Sequence, residues 1–109
     1  MRPDCETVIG LGRADGHLSD DEVRGIVSEG LARLEVDERR VLVIIPDGTR
    51  TMPMAHFFEL FESFLGARVA ALDYLVALGT HMAMDDAALS ALIGHPVRDG
   101  MCGRSHIYN

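Results

Sequence analysis

Apolar residues recur along this chain with two different periods. Val23, Ile26, Val27, Leu31 and Leu34 return every three or four positions, the stripe of an amphipathic helix. Ser19-Asp-Asp-Glu22 just ahead reads as a capping box, in which the serine side chain accepts a backbone N–H and the glutamate reaches back. Gly25 and Gly30 weaken this helix by about 1 kcal/mol each relative to alanine. Then the pattern changes. Val41-Leu-Val-Ile-Ile45 is short, continuous and β-branched, the signature of a strand buried on both faces. It runs into Pro46-Asp-Gly-Thr-Arg50. A second helix is predicted from Met54, after Pro53, to Leu65, with Gly66 as its stop; it carries all four phenylalanines (Phe57, Phe58, Phe61, Phe64). Leu72-Asp-Tyr-Leu-Val-Ala-Leu78 is a second buried-strand candidate ending in Gly79-Thr-His81. Asp85-Asp86 opens a third helix through Ile93, closed by Gly94, and a last short strand is expected near Ser105 to Tyr108.

Buried strands alternating with helices predict an α/β fold: a small parallel, Rossmann-like, three-layer sheet with right-handed crossover helices. The length, 109 residues, suits a single domain spanning 1–109, with 1–17 as an irregular, Gly-rich leading segment. At 48% hydrophobic and 25% charged the composition is globular. A net charge of −7 argues against a nucleic-acid partner. The longest apolar run is too short to span a membrane, the start lacks the apolar stretch of a secretory signal, and two cysteines (Cys5, Cys102) make no disulfide scaffold. A cytoplasmic location is therefore expected. All ten basic residues are arginine, and the chain has no lysine.

The candidate chemistry lies where the strands end. In a parallel sheet the carboxyl ends of the strands share one edge, and ligands bind just beyond it. Asp47, Thr49 and Arg50 follow the first strand; Thr80 and His81 follow the second. As neighbours about 4.8 Å apart, the two strands would turn these residues toward one pocket, with Gly48 and Gly79 allowing close backbone approach. Arg50 can grip a carboxylate through a two-pronged charge-assisted hydrogen bond, His81 can move a proton near neutral pH, and Asp47 can orient that imidazole or bind a hydroxyl. Plainer readings stand beside these. Pro-Asp-Gly is a turn signal in its own right, Thr80 suits a turn cap, and His81 suits a surface loop.

Other features carry less. Gly10-Leu-Gly12 with Gly16 lacks the dinucleotide-binding spacing and a preceding strand. His56 and Glu59, three apart on the second helix, read as a solvated face, and Cys102 with His106 makes only two ligands. Met52, Met54, Met82 and Met84 crowd both loops, as pliable pocket lining or as gap-fillers.

Taken together, Val-Leu-Val-Ile-Ile-Pro-Asp47-Gly-Thr49-Arg50, a helix, Leu-Val-Ala-Leu-Gly79-Thr80-His81 and another helix resemble the N-terminal domain of the nickel-pincer lactate racemase family, over about residues 18 to 108. Ser105-His106-Ile-Tyr108 is similar to the family's His-Asp-aromatic stretch, with Ile107 in place of the acid. The resemblance implies interconversion of 2-hydroxy acid stereoisomers with a nickel pyridinium pincer nucleotide. A histidine takes the hydroxyl proton while a hydride moves to the cofactor. It implies His81 as an acid/base residue with Asp47 beside it in the catalytic pocket, and Arg50 and Thr49 as substrate-binding residues. There are departures: Gly48 replaces a common His or Lys, Thr51 and Met52 intervene before Pro53, and Met82 follows the Gly-Thr-His. The family's enzymes are several times longer and tether the cofactor through a lysine.

The expectation is thus the substrate-side, N-terminal piece of a 2-hydroxy acid racemase or epimerase, catalytically incomplete alone, with no cofactor tethered and no metal of its own. A missing C-terminal domain would leave the pocket open and apolar surface exposed, inviting homo-oligomers. The alternative is a non-catalytic α/β module that grips a carboxylate or phosphate metabolite through Arg50 and backbone amides near Pro53; a third is an oligomerisation domain using the phenylalanine helix.

Overall fold

A computed structural model describes residues 8–109; Cys5 and the start of the leading segment lie outside them. The chain divides after Glu35 into two compact units. In the first, helix α1 (Asp20–Ala32) starts at Ser19 with both arms of the expected capping box in place: the Ser19 hydroxyl accepts from Glu22 N at 3.1 Å, and Glu22 Oε1 accepts from Ser19 N at 2.9 Å. Arg13 pairs with Glu22, which lies at the acidic, dipole-favoured first turn, and these bonds hold its carboxyl below the usual range. The helix stops at Ala32, so Leu34 falls beyond the predicted stripe.

The second unit holds β1 (Arg40–Pro46), α2 (Met54–Leu65), β2 (Ala71–Ala77), α3 (Asp86–Ile93), β3 (Met101–Cys102) and β4 (Ser105–Tyr108). The sheet order is β1-β2-β4-β3. β1 and β2 are parallel, paired from Arg40↔Ala71 to Pro46↔Ala77, and β4 lies parallel on the other side of β2. The α/β fold with its parallel sheet and crossover helices is as the sequence predicts. β3, which pairs antiparallel with β4 in a short hairpin, is an addition. Its two residues are too few to leave a periodic signal.

Because the strands β1, β2 and β4 advance in one direction, right-handed crossovers place α2 and α3 on the same face; the two helices touch where Gly94 meets Ala55. Under them Ile45, Leu72, Tyr74, Val76 and Ile107 are buried against Phe58, Leu60, Leu65, Leu89 and Ile93. The Phe58 ring lies 4.9 Å from that of Tyr74 and 5.6 Å from that of His95. Glu62, half-buried on α2, accepts from the Tyr74 hydroxyl at 3.1 Å and from Ser105 at 3.0 Å, tying α2 to β2 and β4. That burial beside a carboxylate pushes the Tyr74 hydroxyl well above its ordinary pKa.

The double-sided burial expected of β1 does not hold. Leu42 is 52% and Ile44 68% exposed, while Ile45 between Ile44 and Pro46 is buried. β1 has one strand neighbour, and α2 and α3 cover a single face, so alternate residues remain in water. A continuous apolar run conceals this, because it looks the same whichever face is covered.

Candidate functional site

Pro46 and Ala77 are register partners, so Asp47 and Leu78 leave the sheet at the same level. After β1 the chain turns at once. Thr49 lies two residues beyond Asp47, the spacing at which an aspartate can accept from the backbone ahead of it. Asp47 Oδ1 takes both the Thr49 N–H, at 3.1 Å, and the Thr49 hydroxyl, and Arg50 N donates to the Asp47 carbonyl at 3.3 Å. After β2 the turn closes with His81 N donating to the Leu78 carbonyl at 2.9 Å. Gly79 makes that turn possible at φ 60°, a conformation that side chains resist.

The two turns meet. His81 Nδ1 bonds Asp47 Oδ2, joining residues 34 apart in the chain. Asp47 is 7% exposed, whereas the His81 side chain is half exposed. Hydrogen bonds from Thr49 and His81 outweigh the cost of burial and hold the Asp47 carboxyl below its ordinary value, at about 2. The carboxylate is therefore ionised near neutrality and can only accept, so Nδ1–H of His81 donates to it. Nε2 is left as the atom for proton transfer, the tautomer control familiar from carboxylate–histidine pairs.

This lowered pKa has a stability consequence. Asp47 stabilises the fold above its unfolded pKa, near 4, and that contribution is lost as pH falls toward 2. Urea titrations from pH 5 to pH 2 should show a steeper loss in the native chain than in Asp47→Asn; parallel curves would mean the bonds to Thr49 and His81 do not persist in solution.

Asp47 and His81 line a cavity of about 490 Å³, with Ile44, Ile45, Pro46, Arg50, Ala77, Leu78, Gly79 and Thr80. The strand ends thus bring Asp47, Arg50, Thr80 and His81 together. Thr49 is not on the cavity wall, since its hydroxyl is directed to Asp47. Of the methionines, Met54 is buried in the core and Met82 is fully displayed to solvent; none lines the cavity. Sequence reasoning missed the apolar wall of Ile44, Pro46, Ala77 and Leu78. Its signal was available in the position of those residues, one to three steps before each polar cluster.

The weaker candidates separate. Glu59 pairs with His95 at 3.3 Å, and His56 has a buried Nε2 with no hydrogen-bond partner among the described residues, so the pair is not one solvated face. Met101 and Cys102 face His106 and Ser105 across the hairpin. Among the described residues no three His, Cys, Asp or Glu side chains gather as a metal site would need. No helix there is long and apolar enough to cross a membrane.

Residues 23–107 match the family described as the lactate racemase N-terminal domain. No curated protein matches the chain. Among solved structures, a crystal structure of a Thermotoga maritima protein superposes with a TM-score of 0.69 at 23% identity, over 84% of this chain. At that identity the likeness is one of fold. This chain spans 21% of that protein's length.

Proposed function

Since this chain belongs to the lactate racemase N-terminal domain family, we propose that it forms the substrate side of a 2-hydroxy acid racemase or epimerase and is catalytically incomplete alone. The observation that carries the reading is the Asp47–His81 pair on a cavity shared with Arg50. A racemase must seize the substrate's carboxylate and relieve its hydroxyl of a proton. Arg50 has no ion-pair partner among the described residues, so its planar fork is available for the carboxylate. His81 Nε2 takes the hydroxyl proton, while Asp47 fixes the ring and favours the imidazolium that forms. Thr49, expected as a substrate ligand, acts instead through Asp47 by holding Oδ1.

The residues present do not fit a seat for the nickel nucleotide. The chain has no lysine to tether it, and its described acids, cysteine and histidines build no three-ligand cluster. Chemistry beyond carboxylate binding and proton transfer therefore belongs to another domain, and the open cavity is where such a domain would face this one.

The test is reconstitution. Joined to the remaining domains and the cofactor of the family, the chain should interconvert the two hands of a 2-hydroxy acid. Arg50→Ala should lower kcat/KM by roughly 10- to 100-fold, mostly through KM, as expected for loss of one charge-assisted bidentate contact. Binding of 2-hydroxy acids that depends on Arg50, without isomerisation in the assembled protein, would favour the non-catalytic module instead.

A further inference from the structure

The site's apolar half also makes a statement about substrate. Resting on the reading of this cavity as a 2-hydroxy acid site, we propose that Ile44, Pro46 and Ala77 form a subsite selecting monocarboxylates whose C2 substituent is apolar and larger than methyl.

Strand geometry places these three residues together. Side chains alternate across a strand, so Ile44 and Pro46 share a face; Ala77, the register partner of Pro46, shares it too. It is the face opposite buried Ile45 and Val76, and it leads directly to the turn bearing Asp47. A large β-branched side chain, Ile44, is left 68% exposed beside the candidate carboxylate grip. Covering it with hydrocarbon gains free energy, which water does not provide.

Charge points the same way. Arg50 is the one arginine among the cavity's lining residues, and Asp47 is the one acid. With Arg50 on the reacting carboxylate, a second carboxylate would lie against Ile44 and Ala77 or approach ionised Asp47, and either costs free energy. The cavity volume, about 490 Å³, falls in the range that houses drug-sized ligands and exceeds what a three-carbon acid fills. Ala77 is small and exposed on the same wall, so it adds little bulk beside Ile44 where the C2 substituent would lie.

Amide-shift titrations of the 109-residue chain with lactate, 2-hydroxy-4-methylpentanoate and malate read affinities even in the millimolar range. The branched acid should bind roughly tenfold tighter than lactate or better, since each covered CH₂ contributes about fourfold. Malate should bind no tighter than lactate. Ile44→Thr, a strand-compatible change at a solvent-facing position, should bring the branched-to-lactate ratio below about threefold. Leu42→Thr, on the same strand face but outside the cavity, should keep it. Equal affinities for lactate and the branched acid, preference for malate, or a ratio that survives Ile44→Thr would overturn the subsite. If all three acids bind through Arg50 without that length dependence, only the subsite fails. If none binds, or Arg50→Ala changes nothing, the 2-hydroxy acid reading fails with it.

Discussion

Under the proposed racemase function, in the chain reconstituted with the family's remaining domains and cofactor, His81→Ala should lower kcat by about 10²- to 10⁴-fold, and adding Asp47→Asn to it should cost nothing further. The first figure is the usual weight of a positioned general acid or base. The second follows from the proposed roles: Thr49 engages Oδ1 of Asp47 and His81 Nδ1 engages Oδ2, so the acid acts on substrate through the ring it holds. Asp47→Asn alone keeps the shape but offers an amide where Nδ1–H needs an acceptor, and its loss should approach that of His81→Ala. Residues acting as one unit are not additive, and a double-variant cycle on kcat measures this. If the double variant is slower than His81→Ala by another 10²-fold, Asp47 touches substrate itself and the dyad description is wrong.

Phe58→Ala should destabilise the fold by about 3–5 kcal/mol, read as a lower urea midpoint. Phe58 is 3% exposed and its ring contacts both Tyr74 on β2 and His95 beyond α3, so its loss opens a void between helix layer and sheet. Aromatic packing geometry adds to the area lost. For a chain of this size that is a large share of the whole stability. Phe57→Ala, on a half-buried neighbour, should cost clearly less. Equal costs would mean that the phenylalanine helix is not seated on the sheet through Phe58.

Most of this fold is legible in the sequence because local signals and long-range pattern agree. Pro53 and Gly66 bracket α2 where expected, Asp85 caps α3 by accepting from Ala88 N, and Gly94 closes it in the left-handed conformation. The parallel pairing of β1 and β2 follows from the helix between them, and with it the meeting of Asp47 and His81. What escapes the sequence depends on choices that composition does not encode. A run such as Val41 to Ile45 is apolar at every position, so nothing in it tells that Ile44 faces water and Ile45 the core. The placement of Thr49 is hidden for a similar reason: a hydroxyl two residues after an aspartate suits a ligand or the aspartate equally well in sequence, and the structure has it bonded to Oδ1. Glu62 was passed over because a glutamate on a helix ordinarily points to solvent; here Tyr74 and Ser105 draw it inward.

The level ending of the two strands, Pro46 against Ala77, sets what kind of change this protein can absorb. Many side chains on β1 can be exchanged without disturbing how the acid reaches the imidazole. Deleting or inserting a single residue between Arg40 and Pro46 is another matter. It rotates everything downstream by half a pleat and sends the acid and the imidazole to opposite surfaces, so the spacing tolerates variation in letters but not in count.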